Sequence, residues 1–311
     1  MNLFGFLFVL LTPTLSLGSE LKPILEILER GNITPNVLAC ALEEVTVPGC
    51  EVLQNDNQDV AQLKKCFATI MARASASMKA NSNCKFTENF RTLNAATVRD
   101  EDAEQVVNCN EAFKQSLLCD LNEKEQTFMA AILVTWQEAR GATGNYLTEY
   151  HGVRQVLENR TRMLKEKTPA KDFNILHAAL QYKQFSGFNV DDRSWLISLD
   201  PALASTDYIA KSLKAYKNYP TSKCRPEIVC QNLISYHARW LPQSQVGWAQ
   251  DNVGNLLPIV DFSFNNVYQS TASPSTMTRL PASEQKRRHW FYTDADKANL
   301  YGAPVIRCGS R

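Results

Sequence analysis

WQEARGATGNYLTEYHGVRQVLENR, residues 136–160, reads as the end of one helix, a glycine break and a second helix. The first helix starts at Glu123. It carries Phe128, Ile132, Thr135, Trp136 and Ala139 on one face, the 3–4 spacing of a helix that packs on a core. Gly141 and Gly144 end it. Tyr150, Val153, Leu157 and Leu164 give the next helix, which stops before Pro169. At about 100° per residue, Glu138 falls at the edge of the Phe128–Ile132–Trp136 stripe. Two forces there disfavour its charge: partial burial beside Trp136, and the partial negative charge of the helix C-terminus. Arg140 opposes both. Two readings stay open. Glu138 is a general acid that keeps its proton near neutral pH, or it is a surface glutamate paired with Arg140.

The rest of the chain is read outward from this stretch. Ser205-Thr206-Asp207 predicts the cap of a helix through Tyr216, and Cys230 to Ala238 predicts another. LLPIVDFSF and HWFYT read as short strands or extended segments, and residues 270–275 as a loop. Upstream, LKPILEILERG and ITPNVLACALEEV have helical spacing, as do residues 59–78 and 101–118. The upstream part holds six of the nine cysteines. The fold class expected is therefore mainly α. A small disulfide-pinned helical domain covers residues 19–122, and a second domain with a few short strands covers 123–311.

The 311 residues are 44% hydrophobic and 21% charged, ordinary for a globular protein, and the net charge is +1. Such a balance gives no global field for nucleic acid or an anionic membrane. LFGFLFVLLTPTLSLG at the N-terminus is too short and too interrupted to span a bilayer. It fits a secretory signal over residues 1–18, although no Lys or Arg precedes Leu3. No later segment reads as transmembrane. The cysteine spacings of the N-terminal half do not resemble a C-x-x-C zinc knuckle, so disulfides in an oxidising compartment are expected. Cys224 and Cys230 are near enough to close a small loop. Nine is odd, which leaves one thiol over.

QEARG followed by YHGVRQVLENR resembles the signature of the cell-wall hydrolases related to spore-cortex-lytic enzymes, within the lysozyme-like superfamily. Gln137 stands where that family usually has Gly, and Asn159-Arg160 stands at the expected end. Gln184-Phe185-Ser186 resembles its Q-F-S element. Ser235-Tyr236-His237, with Pro242 and Trp248, resembles its H-Y-H and P-x-W, more widely spaced. His289 to Tyr292 resembles its terminal H-x-F-Y. The blocks keep their order over residues 124–293. The Cys224–Cys230 insertion departs from the pattern, and residues 19–122 have no counterpart.

The resemblance implies a lysozyme-like fold and an enzyme acting on peptidoglycan glycan strands. Its general acid would be Glu138. Gln184, Ser186, Tyr236 and His237 would stand near the sugar, with His289 and Tyr292 close by. Aromatic faces and neutral hydrogen-bonding groups suit sugar rings, hydroxyls and acetamides. The expected cut is the β-1,4 bond between N-acetylmuramic acid and N-acetylglucosamine. A hydrolase adds a second carboxylate; Glu149, Glu158 and Asp191-Asp192 are the candidates, none in a recognisable motif. A lytic transglycosylase needs none, and this favours it over a hydrolytic lysozyme (muramidase). Phe185 is read as core packing. Neither cofactor nor metal is expected, because His151, His237 and His289 lack a zinc-ligand spacing. Lys286-Arg287-Arg288 reads as a solvated loop. The sequon at Asn32 is unremarkable. That at Asn159 lies inside a packed helix, which favours a bacterial exported protein, periplasmic or extracellular, over a eukaryotic secreted one. The alternative is a catalytically inactive wall-binding or inhibitor protein on the same fold. A papain-type protease lacks its cysteine signature.

Overall fold

A computed structural model of the chain describes residues 46–55, 58–86, 100–142, 146–167, 173–181, 184–189, 194–199, 207–238, 264 and 289–293. The helical readings of residues 21–45 and the extended reading of LLPIVDFSF, Phe264 excepted, lie outside these. So do the cap residues Ser205 and Thr206, the pair Asp191-Asp192, Trp248 and residues 286–288.

The described chain is mainly helical. Its helices are α1 (Val60–Ala80), α2 (Asp100–Cys119), α3 (Glu123–Ala139), α4 (Tyr146–Lys167), α5 (Ile175–Ala179), α6 (Ser194–Ser198), α7 (Asp207–Asn218) and α8 (Glu227–Asn232). Two 3-10 turns, Glu51–Gln54 and Ser186–Phe188, and two strands, β1 (Ser235–Ala238) and β2 (His289–Tyr292), complete it. The strands pair antiparallel, with Tyr236 opposite Phe291 and Ala238 opposite His289. Hence Tyr236, His289 and Phe291 share one face of the ribbon.

The helix α3 is the centre. Every residue from Phe128 to Gln137 is buried, so the stripe read from sequence is only part of a helix enclosed on all sides. It packs against α4, α5, α7 and the Ser186–Phe188 turn. Phe128 meets Tyr216 of α7 edge to face at 5.0 Å between ring centroids. Polar residues at its start are bonded rather than stranded. Asn122 and Glu125 form a capping box, and Glu125 also accepts from the Val47 N–H. Gln126 donates to the carbonyls of Leu118 at 2.7 Å and Leu121 at 2.9 Å, fastening α3 to the end of α2. One continuous core runs from Val47 to Phe291.

Val47-Pro48-Gly49-Cys50 makes a tight turn, with Cys50 N–H donating to the Val47 carbonyl at 2.9 Å. Gly49 sits at φ +91°, which only glycine takes without strain, after a proline suited to the preceding position. The turn delivers Cys50 to Cys66 of α1. Cys84–Cys109 joins the end of α1 to α2, and Cys224–Cys230 closes the loop expected before β1. Cys119 is also disulfide-bonded, and no described cysteine is free. Each loop closure contributes about 3 kcal/mol in the chain-entropy account.

One helical expectation is corrected. Residues 230–238 are not one helix: α8 ends at Asn232, and the chain is extended from Leu233 into β1. The reason is long-range. Asn159 and Arg160 of α4 take the carbonyls of Cys230, Leu233 and Ile234, which a continuing helix would need for itself.

His151 of α4 is held against α7 and the residue that follows it, Tyr219. Its Nε2–H donates to the Ala215 carbonyl at 2.9 Å, and its ring meets Tyr219 and Phe264 edge to face. Burial holds the imidazole at about 4, below its ordinary 6.5. An unfolded histidine takes its proton near 6.5, whereas this one stays neutral until about 4. Stability is therefore complete above 6.5 and is lost as pH falls towards 4, by about 3 kcal/mol from this group. Urea unfolding across that window should show the loss, and His151→Gln should flatten it by one proton's worth. An unchanged slope in the variant would assign the acid sensitivity elsewhere.

Candidate functional site

The exposed end of α3 is where the sequence blocks converge. Glu138 is the first part-exposed residue after ten consecutive buried ones. Arg140, its other candidate partner, donates from Nη1 to Ser194 Oγ at 3.2 Å and lies over the Trp136 ring at 5.7 Å.

Beside Glu138 stands Tyr236 of β1. Its residue is part-exposed, yet its hydroxyl oxygen is fully buried. Burial pushes that hydroxyl well above the usual phenol range, and the Glu138 carboxylate pushes it further, while the Arg160 guanidinium pulls the other way. Glu138 acts on the hydroxyl through its charge and as a side-chain hydrogen-bond partner, whereas Arg160 acts through its charge. Burial lowers Arg160 itself to about 10, so it keeps its charge at neutral pH.

The ribbon that carries Tyr236 is fixed from two directions. Asn159 Nδ2 donates at 2.7 Å to both the Cys230 and Leu233 carbonyls, and Arg160 Nε donates at 2.7 Å to the Ile234 carbonyl. These are the Asn-Arg pair of the sequence block, and the clamp is what their polar groups do here. Asn159 is 6% exposed, and both its N–H groups are committed. At the other end, Glu149 bonds His289 Nδ1, with the two residues 3% and 4% exposed. The Tyr236 ring packs edge to face on His289 at 5.3 Å and tilted on Phe291 at 5.5 Å. Glu149 and Arg160 recur on one face of α4, eleven residues apart, and both meet the ribbon.

The remaining expected residues are placed as follows. Gln184 is part-exposed, on the turn before Ser186–Phe188, with its N–H donating to the Gln181 carbonyl at 3.2 Å. Tyr292 is buried, and burial pushes its hydroxyl up; it belongs to the opposite face of the ribbon from His289. The backbones of Ser186 and His237 lie in the 3-10 turn and in β1, and their side chains lie outside the described residues. Phe185 is in the core. Among the described residues no three His, Cys, Asp or Glu side chains converge as metal ligands. Glu149 and His151, two positions apart on α4, point to different sides.

Of the candidate second carboxylates, Glu149 is engaged by His289. Glu158 is engaged by Arg154 at 3.0 Å and by the Tyr219 hydroxyl at 2.6 Å, on the side of α4 that faces α7. Sequence reasoning passed over the buried polar links that hold the site: Gln137 to Gly187 and Ser198, and Arg140 to Ser194. Only the replacement of an expected Gly by Gln137 hinted at the first.

No protein-family model, curated protein or solved structure matches this chain. No described helix is long and apolar enough to cross a membrane.

Proposed function

We propose that this chain is an exported enzyme that cleaves peptidoglycan glycan strands at the β-1,4 bond between N-acetylmuramic acid and N-acetylglucosamine, by lytic transglycosylation. On this reading residues 123–311 form a lysozyme-like catalytic domain behind a disulfide-pinned helical one. One observation carries the reading: a carboxyl emerges at the part-exposed end of a helix buried from Phe128 to Gln137, against the buried hydroxyl of Tyr236. Glu138 protonates the bridging oxygen, and the C1–O bond breaks towards an oxocarbenium-like centre. The muramic 6-hydroxyl then attacks C1 and gives its proton to the Glu138 carboxylate. The products are a 1,6-anhydro end and a new free hydroxyl, and the acid is regenerated.

The engagement of Glu149 and Glu158 supports intramolecular attack over a route that needs a second free carboxylate. The disulfides suit an oxidising, extracytoplasmic compartment. Mass spectrometry of soluble fragments released from purified sacculi is the test. Anhydromuropeptides are expected. Reducing-end muropeptides would replace transglycosylation by hydrolysis, and no release at all would overturn the glycan reading.

A further inference from the structure

We propose that Gln137 is a positioning residue that fixes the Ser186–Phe188 turn to the end of α3, and so sets where Gln184, on the turn before it, stands relative to Glu138. The proposal rests on the reading of Glu138 as the acid. Gln137 is 0% exposed, one residue before Glu138. Its Nε2 donates to the Gly187 carbonyl at 3.0 Å and to Ser198 Oγ at 3.4 Å. Packing enforces the same register. A Cβ on Gly187 would lie 1.9 Å from Gln137 Oε1, 2.0 Å from Cδ and 2.6 Å from Cγ. The amide nitrogen is bonded and the side chain is wholly buried, so it has nowhere to swing, while Oε1, pressed towards Gly187, has no hydrogen-bond partner among the described residues.

A second strap lies two residues past the acid. Arg140 Nη1 donates to Ser194 Oγ at 3.2 Å, and Ser198 Oγ donates to the Ser194 carbonyl at 2.9 Å. Residues 137 and 140 thus fasten both flanks of Glu138 to one segment, residues 186–198, directly after Gln184. Glutamine here does what the glycine of the resembled pattern cannot: it spans to the turn and bonds it. Acid–base transfer tolerates little error in such spacing, and a shift of about 1 Å costs on the order of 100-fold in rate.

Three variants separate positioning from space-filling. Gln137→Met keeps the length and volume and removes the donors. It should fold with a lowered unfolding midpoint. Its kcat on sacculi should drop at least about 10-fold with KM changed less than about threefold, and amide exchange at 186–188 should rise at least about 10-fold. Gly187→Ala should lose stability and turnover together. Gln137→Ala with Gly187→Ala should regain stability, because the new Cβ fills the vacated space, but not turnover. Wild-type kcat and exchange in Gln137→Met, or turnover that returns with stability in the double variant, would reduce Gln137 to core filling. Should the wild-type chain release nothing from sacculi, the glycan reading fails, and the exchange rates alone decide the brace.

Discussion

Glu138→Gln is expected to stop release of soluble fragments from purified sacculi, by about 10³-fold, a value within the span that general acid catalysis supplies. The amide matches the carboxyl in shape and has no proton to give to a leaving oxygen. Folding should be spared. Glu138 is the part-exposed residue at the end of α3, whereas the residues that hold the helix, from Phe128 to Gln137, are untouched. The unfolding free energy should stay within about 0.5 kcal/mol, as for substitutions away from the core. A Gln variant that digests sacculi at the wild-type rate removes Glu138 from the chemistry and the proposed function with it. A variant that merely unfolds would show the same activity loss for the wrong reason. Near-ultraviolet circular dichroism of both proteins distinguishes these, and the folded, inactive outcome is the one expected.

Asn159→Ala is expected to carry the largest single cost in stability, about 2–4 kcal/mol. The substitution orphans the carbonyl of Leu233, at about 1–3 kcal/mol, and takes a bond worth about 1 kcal/mol from that of Cys230, which keeps the Leu233 N–H at 3.4 Å. The damage should reach the site, because Leu233 lies three residues before Tyr236. Asn159→Asp is the sharper probe. It keeps the shape but sets carboxylate oxygens against two carbonyl oxygens, and should be at least as damaging as Ala. Chemical denaturation of both variants gives the answer, and an Asp variant as stable as wild type would show that the clamp does not hold β1. The same geometry bears on the sequon at Asn159. The nitrogen a glycan would take is bonded twice inside the fold, so intact mass after secretion from a glycosylating host should show no sugar there.

The long helices were legible in the sequence because their signal is local. Residues 59–78, 101–118 and 123–140 carry apolar side chains at helical spacing, and each became a helix within two residues of its expected ends. The Cys224–Cys230 loop was legible because six residues leave little choice of partner. Residues 230–238 were misread because what ends α8 is not in that segment at all: it is Asn159 and Arg160, some seventy residues earlier. The site divides along the same line. Glu138 could be singled out from its place on one helix. Which carboxylate His289 would engage, or that Gln137 would bear on Gly187, depends on contacts fifty to 140 residues apart, and no periodicity encodes those.

The β1–β2 ribbon has a further consequence. Ala238 and His289 are paired neighbours, yet fifty residues of chain leave at the first and return at the second. Two ends held side by side by a ladder keep their spacing whatever the length of chain between them. Tyr236 and His289 are therefore a hem whose register is set by the stitching on either side, while Phe264, between them in the chain, is sewn separately to His151 and Tyr219.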